Sequence, residues 1–179
     1  MKTFLITCVI LFVFAGEYDH AMNMVTECHV EFRVSNAGLD VTGYFDDVDV
    51  EINFNENKLH ESHIVATARA ESIRTGIPLR DKHLQRSDYF NTDRFPGITL
   101  TSVSFRKTGR NKFTSAFKVQ IKKTTKVITI PFSMERKGDA TMFTGGFEIN
   151  RLDFGLGEQS LILDESVHVT VVLSVREKY

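Results

Sequence analysis

The sequence predicts an all-β, antiparallel fold. Three observations predict it. Apolar residues recur at every second position over long stretches, turn signals separate those stretches, and one segment alone, 72–96, breaks the pattern at length. About eight strand segments result, a number that suits an up-and-down barrel or a sandwich. Composition does not choose between the two.

The elements follow in order. Val30, Phe32 and Val34 share one face of a first strand, and Asn36-Ala37-Gly38 turns the chain. Val41, Gly43 and Phe45 then share one parity, whereas Val48, Val50, Ile52 and Phe54 share the other. The switch at Asp46-Asp47 predicts a bulge that helps a sheet to curve. A third strand spans 63–70, with Ile64, Ala66, Ala68 and Ala70 on one side. Three small residues in a row leave room for something bulky opposite. Beyond Pro96-Gly97, strands over 98–107 and 112–122 are joined by a turn at 108–111, and Phe113, Ser115, Phe117, Val119 and Ile121 share a face. Strands over 126–136 and 140–150 form a further hairpin, in which Pro131 requires an edge or a bulge. Val167, Val169, Val171, Leu173 and Val175 complete the set.

The chain has 179 residues, of which 42% are hydrophobic, and this suits a single folded domain with a substantial core. Fifteen Phe and no Trp favour a dry interior, because Phe brings apolar area with no polar atom to satisfy. A net charge of −1 gives no basic excess for a phosphate backbone, so nucleic acid is not an expected partner. Lys2, an apolar run over 4–15 and Val13-x-Ala15 read as a secretory signal at 1–15, whose end could extend to 21. A loose segment is expected over 16–26 and the barrel domain over 27–179. The expected localisation is export, to a periplasm or the outside, as a soluble protein. Cys8 falls in the signal and leaves Cys28 without an intramolecular disulfide partner.

Segment 72–96 is dense in charge yet carries Ile73, Leu79, Leu84, Tyr89, Phe90 and Phe95. Such a segment must cover something apolar, so it reads as a lid. Pro78 suits the first turn of a helix over 79–86. The segment also resembles the signature SIxTGxxxRDxHLxSxDFFDxxxYP of the YceI-like family. It matches at Ser72-Ile73, Thr75-Gly76, Arg80-Asp81, His83-Leu84, Asp88-Tyr89-Phe90 and Phe95-Pro96, with Arg86 where the family has Ser. Residues 30–54 resemble the family's opening strands. Ile121 to Phe132 resembles I-K-G-V-T-K-x-x-x-x-P-F, with Lys123 in place of Gly, which suggests a changed turn. Phe147 to Gly157 resembles I-x-R-x-D-F-G-x-G.

The resemblance implies an eight-stranded antiparallel lipocalin-like barrel with a short helical lid, enclosing an apolar tunnel. It implies non-catalytic binding, storage or transport of a long amphiphilic lipid, such as a polyisoprenoid or an isoprenoid quinone. It also hints at a membrane respiratory or cytochrome partner and at a homodimer. Expected cavity residues are Phe32, Phe45, Ile64, Ala66, Leu84, Phe90, Phe95, Leu100, Phe113, Phe117 and Phe147. Arg80, Asp81, His83, Arg151 and Asp153 are expected to hold the lid or meet a headgroup. No cofactor is implied. His60 and His63 have no third ligand near in sequence, so no metal site is expected. Two other readings stand beside this one: an enzyme using Asp81 and His83 on a lipid-like substrate, and a solid-core barrel acting through protein contacts in a stress response.

Overall fold

The computed structural model describes residues 24–176. The expected signal at 1–15, Cys8 and residues 16–23 of the expected loose segment lie outside the described residues. The strands are β1 (Met24–Asn36), β2 (Leu39–Phe45), β3 (Val48–Asn53), β4 (His63–Arg69), β5 (Ile73–Arg74), β6 (Gly97–Gly109), β7 (Lys112–Ile121), β8 (Thr124–Lys137), β9 (Ala140–Asn150) and β10 (Leu163–Arg176). One α-helix, α1, spans Pro78–Leu84. All pairings are antiparallel, in the order β3-β4-β6-β7-β8-β9-β10-β1-β2-β5.

The sheet curls back on itself through one bent segment. β2 pairs with β1, whereas β3, two residues further on, pairs with β4 at the other end of the ladder. Taking β2 and β3 as one bent strand and setting the two-residue β5 aside, the ten strands reduce to the expected eight. The bend falls at Asp46-Asp47, where the parity of the apolar residues switches. Ser72 stitches it. Its carbonyl accepts from Asp46 N at 3.2 Å, and its hydroxyl accepts from Asp47 N at 3.1 Å and donates to Arg69 O at 2.7 Å. The first residue of the lid signature therefore holds the corner at which the barrel closes.

One expectation needs correction and two become specific. Strand β1 begins at Met24, not after residue 26, because Val25 pairs with Val175 and Thr26 Oγ1 donates to Ser174 O. Lys123 does not occupy the left-handed turn position that a Gly there would suggest. Lys122 takes φ 54° instead, and its Nζ donates to Gly155 O at 2.7 Å. Pro131 lies within β8, opposite Thr114, at the point where the β8–β9 ladder stops: that ladder begins at Phe132–Gly145. The missing N–H thus costs no bond to β9.

The interior has two levels. One buried cluster lies towards the lid and contains Ala68, Ile98, Phe117, Val119, Ile149, Phe154 and Leu156. The other fills the opposite end with Ile52, Phe113, Met134, Phe143, Leu173 and Val175.

Candidate functional site: a lidded apolar cavity

Between these levels lies a cavity of about 420 Å³. Its wall takes residues from every strand, because the inward parity of each strand carries aliphatic or Phe side chains. Val30, Phe32 and Val34 of β1 and Val167, Val169 and Val171 of β10 face it. Ala66 and Ala68 of β4 provide the room that their small side chains predicted.

Nine of the eleven expected cavity residues line this space: Phe32, Phe45, Ile64, Ala66, Leu84, Phe90, Leu100, Phe117 and Phe147. Two do not. Phe113 is 1% exposed and stacks on Phe132 below the cavity, with ring centroids 5.4 Å apart. Phe95 is half-buried under the Arg94 guanidinium, 5.3 Å from its ring centroid, and stays off the wall. Phe132 and Phe143 do line the wall and were missed. The parity of β9, which puts Phe143 on the face of Phe147, was the available signal for the second.

The lid is built on α1. Arg80, His83 and Leu84, at spacing i, i+3 and i+4, face the cavity, whereas Leu79 points out and is 79% exposed. Asp81 locks the helix to the chain before it: its Oδ1 accepts both the Thr75 N–H, at 2.8 Å, and the Thr75 hydroxyl. Thr75 Oγ1 in turn accepts from Arg80 Nε at 2.7 Å, and Thr75 O accepts from Arg80 Nη2 at 2.7 Å. Asp81 and Thr75 are buried, so the pair is sheltered from competing water. The ring of His83 packs edge-on against Tyr89, and its Nε2 lies 3.7 Å from Asp88. Asp81 and His83 therefore have different partners and form no acid–base pair.

The terminal motif supports the lid from the other side. Asn150 Oδ1 accepts from Leu152 N and opens a 3-10 turn at Arg151–Phe154, which Gly155 ends at φ 63°. Arg151, 3% exposed, donates to the carbonyls of Leu156, Asp164 and Leu163 at 2.9, 2.8 and 3.3 Å. Gly157 N donates to Asp88 O at 2.8 Å, and a Cβ on Gly157 would lie 2.9 Å from the Tyr89 ring. The lid signature and the terminal motif are thus two halves of one contact. Asp153 is placed elsewhere, in an exposed ion pair with Lys126. His63 meets Glu51 at 3.2 Å and His60 meets Glu61 at 3.4 Å, both on the exposed surface.

The cavity's polar groups gather at the lid end: Thr75, Arg80, His83 and Arg151 all face it, and no carboxylate forms an ion pair with either Arg among the described residues. Asn36, also on the wall, has a buried Oδ1 with no hydrogen-bond partner among the described residues. At the far end stands Cys28, also on the wall, where burial pushes its thiol above the ordinary 9.0. Its alkylation by iodoacetamide is expected to be slow at pH 7–8 and to speed up only as pH rises past 9, since the thiolate is the nucleophile. A rate that levels off below pH 9 in a Cys8→Ser protein would contradict this placement.

A curled antiparallel barrel with an apolar cavity, a helical lid and polar groups at one end defines a lipocalin-like fold. More narrowly, the chain belongs to the YceI-like family, whose domain model matches residues 24–176. It is 32% identical to a UPF0312 protein of Pseudomonas fluorescens over 138 residues, 70% of each chain. A UPF0312 protein of Azotobacter vinelandii is 28% identical over 153 residues, covering 82% of this chain and 79% of its own. Among solved structures, BcnA of Burkholderia cenocepacia superposes with a TM-score of 0.79 at 20% identity, over 82% of this chain and 95% of its own. A polyisoprenoid-binding domain from Saccharophagus degradans superposes at 0.71 with 14% identity, over 88% and 99%.

Proposed function

We propose that this protein is a non-catalytic carrier or reservoir for an amphiphile with an isoprenoid or similar apolar tail, acting outside the cytoplasm after export. The observation that carries this reading is the cavity itself: about 420 Å³, walled by aliphatic and Phe side chains, with charge at the lid end only. Burial of a hydrocarbon tail gains roughly 0.8 kcal/mol per CH2, so a tail that fills the space repays the cost of association. The tail lies among Phe32, Phe45, Phe117 and Phe147, and the headgroup meets Arg80 and His83. The solid-core alternative is disfavoured by a void of this size. The enzyme alternative lacks its pair, because Asp81 spends its Oδ1 on Thr75. The binding named for the Saccharophagus domain agrees with the reading.

The test is to purify the protein from its native host, extract it with organic solvent and identify lipids by mass spectrometry. About one amphiphile per chain is expected. Extracts without lipid, together with no uptake of prenols on reconstitution, would remove the proposal.

A further inference from the structure

We propose that the outer face of β6, β7 and β8 is a docking surface for an anionic phospholipid bilayer. Charge is unevenly spread along the chain. Residues 94–134 hold nine of the 22 Lys and Arg and none of the 23 Asp and Glu, although the whole chain stands at −1. Some of the nine are engaged: Lys107 with Glu56, Lys126 with Asp153 and Lys122 with Gly155 O, while the Arg94 guanidinium lies over Phe95. Arg106, Arg110, Lys112, Lys118 and Lys123 are exposed and form no ion pair among the described residues. The alternation that turns Phe113 and Phe117 inward turns Lys112 and Lys118 outward. Strand register then sets Lys118 between Thr101 and Val127, and Thr114 between Arg106 and Pro131. The row between these is Ser104, Ala116 and Thr129, so small neutral side chains separate the cations. Val127 is 64% exposed, and Val103, at the bulge in β6, is 55% exposed.

Three features fit a bilayer better than an acidic protein. The cations are spread, not gathered. Lys112 and Lys118 lie on one strand, about 20 Å apart at about 3.3 Å per residue. That is more than two screening lengths of about 8 Å at physiological salt, so a plane of lipid phosphates meets both where a compact acidic patch meets one. The valines stand exposed among these charges. In that setting an aliphatic side chain enters the boundary between headgroups and acyl chains, and a lysine stem lies along it with its ammonium among the phosphates. The face also borders the cavity's flank. From Pro131 to Thr124, β8 has no ladder to β9, and Ile130 and Phe147, one on each strand, line the cavity there. An amphiphile in the bilayer would thus lie beside a stretch of barrel wall without a ladder. This last feature rests on the carrier reading; the first two do not.

The experiment sediments the protein, purified from its native host, with vesicles of phosphatidylcholine, either pure or with about 30% phosphatidylglycerol. At about 50 mM salt, binding is expected to be at least about tenfold tighter on the anionic vesicles, and at about 500 mM it is expected to be lost. Lys112→Gln and Lys118→Gln are each expected to weaken it about fivefold. Val127→Ser is expected to weaken it about threefold with the salt dependence unchanged. Arg33→Gln, which removes an exposed cation on β1, leaves it unchanged. Equally tight binding to pure phosphatidylcholine overturns the proposal, as does a loss in Arg33→Gln that equals the loss in the two Lys variants. Failure to bind anionic vesicles at low salt overturns the bilayer as partner in favour of an acidic protein, and leaves the carrier reading standing if prenols are still taken up. Vesicle binding without prenol uptake supports the docking face and removes the carrier reading instead.

Discussion

Arg151→Met is expected to lower the stability of this protein by about 3 kcal/mol, a fall in Tm of about 6–12 °C for a chain of this size. Arg151 is almost wholly buried and its guanidinium donates from all three nitrogens, to Leu156 O, Asp164 O and Leu163 O. Those carbonyls come from the loop after the 3-10 turn and from the start of β10, so one side chain ties that loop to the first residues of the strand. Met preserves the length and apolar stem but gives none of the carbonyls a donor, and a buried acceptor left alone costs more than the bond it made. Arg151→Lys separates charge from shape. An ammonium keeps the charge but is a point donor, unable to reproduce the planar fork, so most of the loss is expected to remain. A Met variant melting within about 2 °C of wild type would mean that the loop's carbonyls are satisfied without Arg151.

Much of this fold is legible because a strand's parity is a local property. Alternation placed Val30, Phe32 and Val34 on one shared face and located the bend at Asp46-Asp47; the structure makes that face the inner one and puts the bend there. Depth along the barrel axis is different. Phe113 and Phe117 share a strand and a parity, yet Phe117 is on the cavity wall and Phe113 is in the buried cluster at the far end. Which level a residue reaches depends on the register of long-range pairs, such as Phe113 with Phe132 and Leu173 with Phe143. No local pattern encodes those pairings. The cluster at the far end was therefore invisible, although Phe54, Phe113 and Phe132 were each placed on a strand.

Lid chemistry was legible only as a set of residues. Asp81 and His83 stand two apart, which suggests a working pair, but α1 turns them in different directions: Asp81 inward to Thr75 and His83 to Tyr89 and Asp88. Asp153 was grouped with Arg151 by sequence, and the short turn sends it instead to Lys126. Asn36 gave no signal beyond its place in a turn. Its relevance comes from Leu163, which β1–β10 pairing sets opposite it, and from the cavity that both residues face.

Gly43→Ala is expected to damage both stability and binding. Phe32 lies directly across β1–β2 from Gly43, and its ring leans over the glycine towards Phe45, with centroids 5.7 Å apart. A Cβ at Gly43 would stand 2.2 Å from Phe32 Cζ and 2.8 Å from the Arg74 carbonyl. The ring is able to escape only by turning into the cavity, whose wall it already forms. The carbonyl has no such exit, since Arg74 and Ile73 pair with Tyr44 and Phe45 to hang the lid on β2. Overpacking of this kind costs about 1–3 kcal/mol, which corresponds to a Tm fall of about 2–12 °C. Prenol binding is expected to weaken at least tenfold, because the displaced ring occupies tail space. The double variant Phe32→Leu/Gly43→Ala assigns the cause: recovery of binding places the obstruction in the ring, and continued loss places it in the displaced lid strand. A single Gly43→Ala variant with unchanged Tm and unchanged prenol affinity would mean that the close approach of β1, β2 and β5 at this point is not what shapes the cavity.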